Sequence, residues 1–209
     1  DTLSLHDALP ISDFGETFTG KRSPAIFLLI LPSMSETSST IHQLTDASTA
    51  PSVAFGQAIL LPDDGATPRV LCTGYAALGD SRRLGLVYCT NRPSAIYELD
   101  LEQVAVAEAK VWRAKGAVRQ SDEGRSARSP RVFVPPHGIK IAPLVVFLSN
   151  PQGGVHGGCT QLHAVALATG NTAVLVAQVD KPATLAHFPG LYLEQLPQRP
   201  FVVFGGIPH

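Results

Sequence analysis

The sequence lacks the features that mark several large classes of protein. Its longest uninterrupted apolar run, residues 25–31, has seven members, whereas a membrane-spanning helix needs about 20. Acidic and basic residues nearly cancel, at 17 and 16, and leave a net charge of −1. This balance gives the whole chain no electrostatic attraction to nucleic acid or to anionic lipid. We therefore expect no nucleic-acid partner and no membrane association.

Cysteine is scarce as well. The three cysteines, Cys72, Cys89 and Cys159, are odd in number and widely spaced, which argues against a disulfide framework. Cys72 and Cys89 lie inside apolar runs, where small thiols are usually buried in strands. This usage predicts structural thiols in a reducing compartment, and we expect a cytoplasmic location.

Long helices have little room in this chain. Its 18 glycines and 17 prolines interrupt the sequence so often that short strands joined by turns are favoured. Residues 101–115 are rich in helix formers, but their apolar positions form no single helical stripe, so a strand is favoured there too. The charged residues 119–128 are predicted to form an exposed loop. The other candidate strands are residues 25–31, expected to be buried, 55–61, 69–75, 84–90, 95–101, 129–134, 143–149, 160–167, 172–177, 190–196 and 200–205.

A weak internal repeat runs through these strands. Residues 67–74, 142–149 and 199–206 each place a proline before an apolar strand, and another candidate strand precedes each. Recurring strand pairs at this spacing suggest propeller blades with long insertions, since standard blades run at about 40–50 residues. The repeat predicts an all-β fold, a partial β-propeller of about two to three blades of antiparallel strands. A β-sandwich would also give short strands with regular turns.

Five stretches, in one order along the chain, carry a more specific resemblance. They are residues 13–16 (DFGE), 56–58 (GQA), 83–101 (RLGLVYCTNRPSAIYELDL), 129–131 (SPR) and 159–162 (CTQL). Together they resemble signature elements of acylaminoacyl-peptidase propellers, which belong to the prolyl oligopeptidase-like serine peptidases. The resemblance implies a propeller that caps a C-terminal α/β-hydrolase domain. In such a protein a Ser-Asp-His triad in the hydrolase domain removes an N-acylated amino acid from a blocked peptide.

The catalytic machinery implied by the resemblance is absent from these 209 residues. A hydrolase of this kind carries its nucleophile in a G-x-S-x-G elbow, and the sequence has neither that motif nor the alternation of strands and helices that builds a hydrolase sheet. We assign no catalytic, cofactor-binding or metal-binding residue. The function predicted is the substrate-gating and scaffold portion of a serine exopeptidase. A stand-alone propeller that binds a protein partner remains the alternative.

The resemblance also implies partners. These are the C-terminal α/β-hydrolase domain, N-acylated short peptides, and further copies of the full-length protein in a homo-oligomer. An incomplete propeller exposes blade faces, so we expect the chain alone to be poorly soluble.

The chain divides into a short N-terminal segment and one domain. Residues 1–12 resemble the reading-frame translation of a sequencing adapter, and we interpret them as an adapter-derived artefact or a disordered segment. Residues 13–209 are interpreted as one partial β-propeller domain.

Other constellations suggest competing functions. His156, Cys159 and His163 have a spacing compatible with a metal, but a glycine-rich turn that leads into a strand explains them better. The glycine-rich residues 153–158 lack the lysine and the spacing of a phosphate-binding loop. A basic patch lacks the interleaved aromatic residues that stack on bases and is predicted to be a solvated loop; its members are Arg113, Lys115, Arg119, Arg125, Arg128 and Arg131.

Overall fold

The computed structural model describes residues 24–32, 38–61, 67–78, 84, 89–133, 143–155, 158–167, 169–179, 187–188, 190–192, 195–196 and 207–208. These residues form strands and turns, with no helix among them. The strands are β1 (Phe27–Ile30), β2 (Thr40–Gln43), β3 (Val53–Leu60), β4 (Arg69–Ala76), β5 (Ser94–Val106), β6 (Ala109–Arg119), β7 (Arg125–Phe133), β8 (Leu144–Pro151), β9 (Gln161–Ala166), β10 (Thr172–Val176), β11 (His187–Phe188) and β12 (Ile207–Pro208).

Two four-stranded antiparallel sheets dominate the fold. The first sheet has the order β3-β4-β5-β6 and the second has the order β7-β8-β9-β10, so each strand pairs with its neighbour in sequence. Short two-stranded sheets form from β1 with β2 and from β11 with β12. A four-stranded antiparallel meander is the unit from which propellers are built. The fold class is therefore all-β, with two propeller-type blades and no catalytic α/β-hydrolase domain in the described part.

The two large sheets pack face to face. Alternate residues of a strand point to opposite faces, so within β4 Leu71 faces the second sheet while Val70 and Cys72 face away from it. The central strands are buried on both faces, and β4 accordingly has a nearly continuous buried run. The cluster between the sheets contains Leu61, Leu71, Ile96, Ala127, Val145, Phe147 and Val165.

The β1–β2 sheet covers the other face of the first sheet. Ile26 and Leu44, which flank this strand pair, are buried against Phe55, Val70 and Leu99. Leu44 also accepts a hydrogen bond at 2.9 Å from the backbone N–H of Ala114 in β6. On the far side of the second sheet, Leu148 and Leu162 pack on residues 191 and 196. The described chain is thus a stack of layers.

Several predictions of secondary structure are confirmed. Residues 101–115 are strand, because β5 runs to Val106 and a two-residue turn leads into β6. The repeated proline-plus-strand units at 67–74 and 142–149 form β4 and β8, the second strands of the two sheets. Most of 84–90 and all of 200–205 lie outside the described residues.

Other predictions are wrong. Strand β1 is not buried: Phe27 and Leu29 are 58% and 54% exposed, because the described chain covers only one face of the strand. β2 was not predicted, since its sequence TIHQ has no alternating apolar residues. In the predicted strand 190–196, only Leu191 forms a bridge among the residues described.

The exposed loop predicted at 119–128 is also wrong. Arg119 ends β6 and β7 begins at Arg125, so the connection is only residues 120–124. Ser126 and Arg128 are buried within β7. Arg128 can be buried because its guanidinium is hydrogen-bonded to Asn150, which offsets the cost of removing a charge from water. All six members of the basic patch therefore lie on β6 and β7, and the patch is not a solvated loop.

Candidate functional site

Each sheet begins with a bulged strand. The pairing of β3 with β4 shifts between Gly56 and Ile59, and that of β7 with β8 shifts between Arg128 and Arg131. Gln57 and Ser129 occupy the bulges with positive φ angles of 51° and 54°, which is uncommon outside glycine. A bulge changes which face later residues occupy. For this reason Phe55 and Ile59 of β3 contribute to different core clusters despite their even spacing.

The two bulges are joined by Gln57. Its Oε1 accepts hydrogen bonds from the Thr73 hydroxyl at 2.7 Å and from the Ser129 backbone N–H at 2.9 Å. Thr73 and Ser129 are fully buried, so neither group has water as a substitute partner. The Gln57 side chain therefore fixes the position of β7 against the first sheet.

Arg128, beside the second bulge, binds across the second sheet. Its guanidinium donates to Asn150 Oδ1 at 2.5 Å and reaches Thr160 Oγ1 at 3.5 Å. The Asn150 amide donates in turn to the Cys159 carbonyl at 2.9 Å. These buried bonds connect β7, β8 and the two residues before β9, so Arg128 is a structural residue of the sheet.

The turn before β5 closes the same interface at one end. The Asn91 carbonyl accepts from the Gly153 N–H at 3.0 Å, and its side-chain amide donates to the Gly154 carbonyl. The Arg92 carbonyl accepts from the Ser126 hydroxyl at 2.5 Å. Gly153 has a φ of 68°, a conformation that glycine adopts without strain. The glycine-rich run thus begins as a turn that is hydrogen-bonded to the turn before β5.

We call the hydrogen-bonded contacts between the two sheets the blade interface. They run from Ser129 to Gln57, from Ser126 to Arg92, and between Asn91 and the pair Gly153 and Gly154. Thr73 supports Gln57 from within the first sheet. Three of the stretches singled out in the sequence, 56–58, 83–101 and 129–131, contribute to it directly. A fourth, 159–162, holds Arg128 through Thr160. Three of the four signature stretches in the described part thus place residues at the blade interface.

A serine and a histidine approach each other within the second sheet. Ser149 Oγ lies 2.8 Å from His163 Nε2 and also accepts a hydrogen bond at 2.8 Å from Arg125 Nε. The His163 ring stacks on Phe147, with centroids 4.9 Å apart and planes 2° apart. A nucleophile–base pair would have the same first distance.

The remaining geometry excludes a catalytic role for this pair. Ser149 and His163 are only 1% and 3% exposed, so no substrate reaches them. His163 Nδ1 has no hydrogen-bond partner within the described structure, whereas a triad needs an acid that orients this nitrogen. Ser149 lies inside β8 and not on a sharp turn. The pair is a buried structural contact.

Electrostatics agree with that role. Burial lowers the pKa of His163 from its ordinary 6.5, the charge of nearby Arg125 lowers it further, and Asp122 acts in the opposite direction. The imidazole is therefore neutral at pH 7, which suits its stacking on Phe147.

The described members of the possible metal triplet do not converge. Cys159 Sγ accepts a hydrogen bond from the Val179 N–H at 3.4 Å, while His163 contacts Ser149 and Phe147. His156 lies outside the described residues. Among those described, no three His, Cys, Asp or Glu residues are grouped as metal ligands would be.

The cysteines behave largely as structural thiols. Cys72 and Cys159 are buried and Cys89 is partly buried. Burial raises the pKa of Cys72 to about 12, so this thiol is not ionised at neutral pH and is a poor nucleophile.

The described part of the chain contains no helix that is long and apolar enough to cross a membrane.

Two stacked four-stranded meanders, joined by bulged first strands and a polar interface, define the chain as a propeller-type domain without a catalytic centre among its described residues. A family model described as acylamino-acid-releasing enzyme, N-terminal domain, matches residues 11–206. The chain belongs to this family and corresponds to its N-terminal domain.

Curated relatives carry the same family name. The chain is 26% identical over 206 residues to an acylamino-acid-releasing enzyme of Arabidopsis thaliana and 31% identical over 189 residues to that of Mus musculus. These alignments cover 92% and 88% of this chain but 24% and 21% of the relatives. Acylamino-acid-releasing enzyme 2 of Oryza sativa subsp. japonica is 26% identical over 169 residues, 73% of this chain and 20% of the relative. The chain thus spans about a quarter or less of the length of these relatives.

Proposed function

We propose that this chain is the substrate-gating and scaffold portion of a serine exopeptidase that releases N-acylated amino acids from blocked peptides. The observation that carries the proposal is the family match over residues 11–206, together with two blades in the described part and a sequence without a G-x-S-x-G motif. The partners proposed are a C-terminal α/β-hydrolase domain, N-acylated short peptides and further copies of the full-length protein. A cytoplasmic location is proposed on the buried thiols Cys72 and Cys159.

The physical basis of gating is exclusion. A propeller placed over an active site admits short or unfolded peptides and rejects folded proteins, since the opening between its parts is narrow. It also limits the access of water to reactive intermediates. Hydrogen bonds such as that from the Ser129 N–H to Gln57 Oε1 hold adjacent blades in a fixed arrangement. A propeller of fixed shape keeps its opening at a constant width and so selects peptides by size.

Sequencing of the source transcript beyond His209 tests this proposal. We expect an open reading frame that encodes an α/β-hydrolase with a G-x-S-x-G elbow. The protein from that frame should hydrolyse an N-acetyl-alanyl reporter and lose activity with a serine-directed inhibitor. A stop codon directly after His209 in the transcript would reject the peptidase and leave a stand-alone propeller that binds a protein partner.

A further inference from the structure

A polar cavity lies where β2, the turn that follows it and the β5–β6 hairpin meet. Its volume is about 190 Å³, which is the space of about six water molecules in the liquid. A molecule of about six non-hydrogen atoms, the size of alanine, therefore fills it. The polar walls include Asp46, Ser48, Thr49, Glu102, Arg113 and Lys115.

Asp46 is held in one orientation by the turn that it begins. Its Oδ1 accepts hydrogen bonds from the Ser48 N–H at 2.8 Å, the Ser48 hydroxyl at 2.6 Å and the Thr49 N–H at 3.2 Å. The bonds from Ser48 and then Thr49 lower the pKa of Asp46 from its ordinary 3.8, while desolvation acts in the opposite direction. The carboxylate is therefore charged at neutral pH. Within the described structure these bonds all end on Oδ1, so Oδ2 is available to a further donor.

Lys115 is the extra residue of a bulge in β6. Asp100 pairs with Gly116 and Leu101 pairs with Ala114, so Lys115 has no residue opposite it on β5. Bulges re-aim a side chain and are frequent beside functional sites. In the part of the chain that the structure describes, Lys115 forms no ion pair, although an acidic side chain lines the same cavity.

The other two charges of the cavity neutralise each other. Arg113 Nε donates to Glu102 Oε1 at 2.9 Å. Asp46 and Lys115 thus remain as one negative and one positive group that line the same space. A ligand with both an ammonium group and a carboxylate complements the two, whereas a ligand with a single charge is repelled by one of them. The cavity therefore favours a small zwitterion.

We propose that this cavity binds a free α-amino acid with a small side chain. The ammonium group of the ligand donates to Asp46 Oδ2, and the ammonium group of Lys115 binds the ligand carboxylate. This inference goes beyond the proposed function and does not depend on it. Under that function, a blocked dipeptide yields one free amino acid, whereas the acylated product has no ammonium group.

Ligand-observed saturation-transfer NMR with the 209-residue chain tests the proposal, since it detects weak binding at low protein concentration. Asp46 and Lys115 are exposed, so we expect L-alanine to bind with a dissociation constant on the order of 1 mM. N-acetyl-L-alanine lacks the ammonium group and L-alaninamide lacks the carboxylate. Each should bind at least about fivefold more weakly than L-alanine, because one charge-assisted bond is lost.

Substitution of the two charged residues gives a second measurement. Lys115→Gln and Asp46→Asn should each weaken the binding of L-alanine at least about fivefold. Asparagine can still accept the hydrogen bonds within the turn through its side-chain oxygen, so the thermal midpoint should not change. Lys110→Gln and Glu108→Gln lie at the exposed end of the β5–β6 hairpin. They are the matched controls and should leave binding unchanged.

Three results overturn the proposal. Equal binding of L-alanine and N-acetyl-L-alanine means that Asp46 recognises no ammonium group. Unchanged binding of L-alanine to the Lys115→Gln variant means that the ligand binds elsewhere. The absence of a transfer signal at about 50 mM L-alanine means that the cavity binds no amino acid. Reporter hydrolysis is a separate measurement, so failure of this proposal and failure of the proposed function are distinguishable.

Discussion

At the scale of residues, single polar side chains hold the two blades together. Gln57 offers one oxygen to two buried donors, the Thr73 hydroxyl and the Ser129 N–H. A buried donor left without a partner costs more than an average hydrogen bond gains. The blade interface therefore depends on Gln57 more than its modest size suggests.

Replacement of Gln57 by alanine should destabilise the chain by about 1–3 kcal/mol, because the Ser129 N–H and the Thr73 hydroxyl both lose their acceptor. Urea unfolding measures the change. Gln103→Ala removes an exposed glutamine from β5 and is expected to alter the free energy of unfolding by less than about 0.5 kcal/mol. Equal effects of the two substitutions would show that the contact between the bulges contributes nothing.

His163 makes stability depend on pH. Its pKa is lowered in the folded chain by burial and by Arg125, so the unfolded chain takes up the proton more readily. The contribution of neutral His163 to the free energy of unfolding is fully present above the pKa of about 6.5 that histidine has in the unfolded chain. It decreases as pH falls from there through the lower pKa of the folded chain.

We expect the free energy of unfolding to fall between pH 7 and pH 5, and His163→Gln to reduce that slope. His42→Gln changes a histidine that does not contact Ser149 or His163. It should leave the pH dependence of the free energy of unfolding that is due to His163 in place. The measurement is a series of urea unfolding curves across this pH range. A slope that is identical in His163→Gln and the unaltered chain would contradict a buried neutral histidine.

At the scale of elements, most strands could be predicted from the sequence. Runs such as β4 and β8 combine apolar residues with flanking prolines, and local pattern alone defines them. The bulges could not be predicted, since a positive φ is expected at glycine and is uncommon at residues such as Gln57 and Ser129. The turn at Ala107, with φ 53°, was hidden for the same reason.

The blade interface could be predicted only in part from the sequence. Its signature stretches were identified by resemblance, but their mutual contacts join residues far apart in the chain: Gln57 and Ser129 are separated by 72 positions. Burial of Arg128 was missed because arginine is rarely buried unless paired, and its partner Asn150 comes from another strand. Such long-range pairing leaves no local signal.

The close approach of β4 and β5 gives a test at this scale. A Cβ atom added at Gly74 would lie 2.5 Å from ring carbons of Tyr97 and 2.8 Å from Val53. Gly74→Ala should therefore destabilise the chain by about 1–3 kcal/mol through overpacking. Thermal unfolding monitored by circular dichroism reports the change.

Gly116→Ala is the matched control, because nothing lies within 4 Å of an added Cβ at that position of β6. This substitution should be neutral or slightly stabilising, since alanine restricts the unfolded chain. A stable Gly74→Ala variant would mean that the first sheet is packed differently from the arrangement described.

At the scale of the whole molecule, the described chain is a stack of layers with polar contacts between the two large sheets and an apolar face at one end. Under the proposed function, such a stack positions other parts of the full-length protein and leaves the chemistry to another domain. The buried Ser149–His163 pair illustrates the distinction, because a suitable distance without access or an orienting acid is no active site.

Hydrolysis of an N-acetyl-alanyl reporter by the purified 209-residue chain tests directly whether this part of the protein has catalytic activity. We expect no turnover above the uncatalysed rate and no change with Ser149→Ala, since the nucleophile of the proposed peptidase lies in another domain. Hydrolysis by this chain that a serine-directed inhibitor abolishes would contradict this expectation.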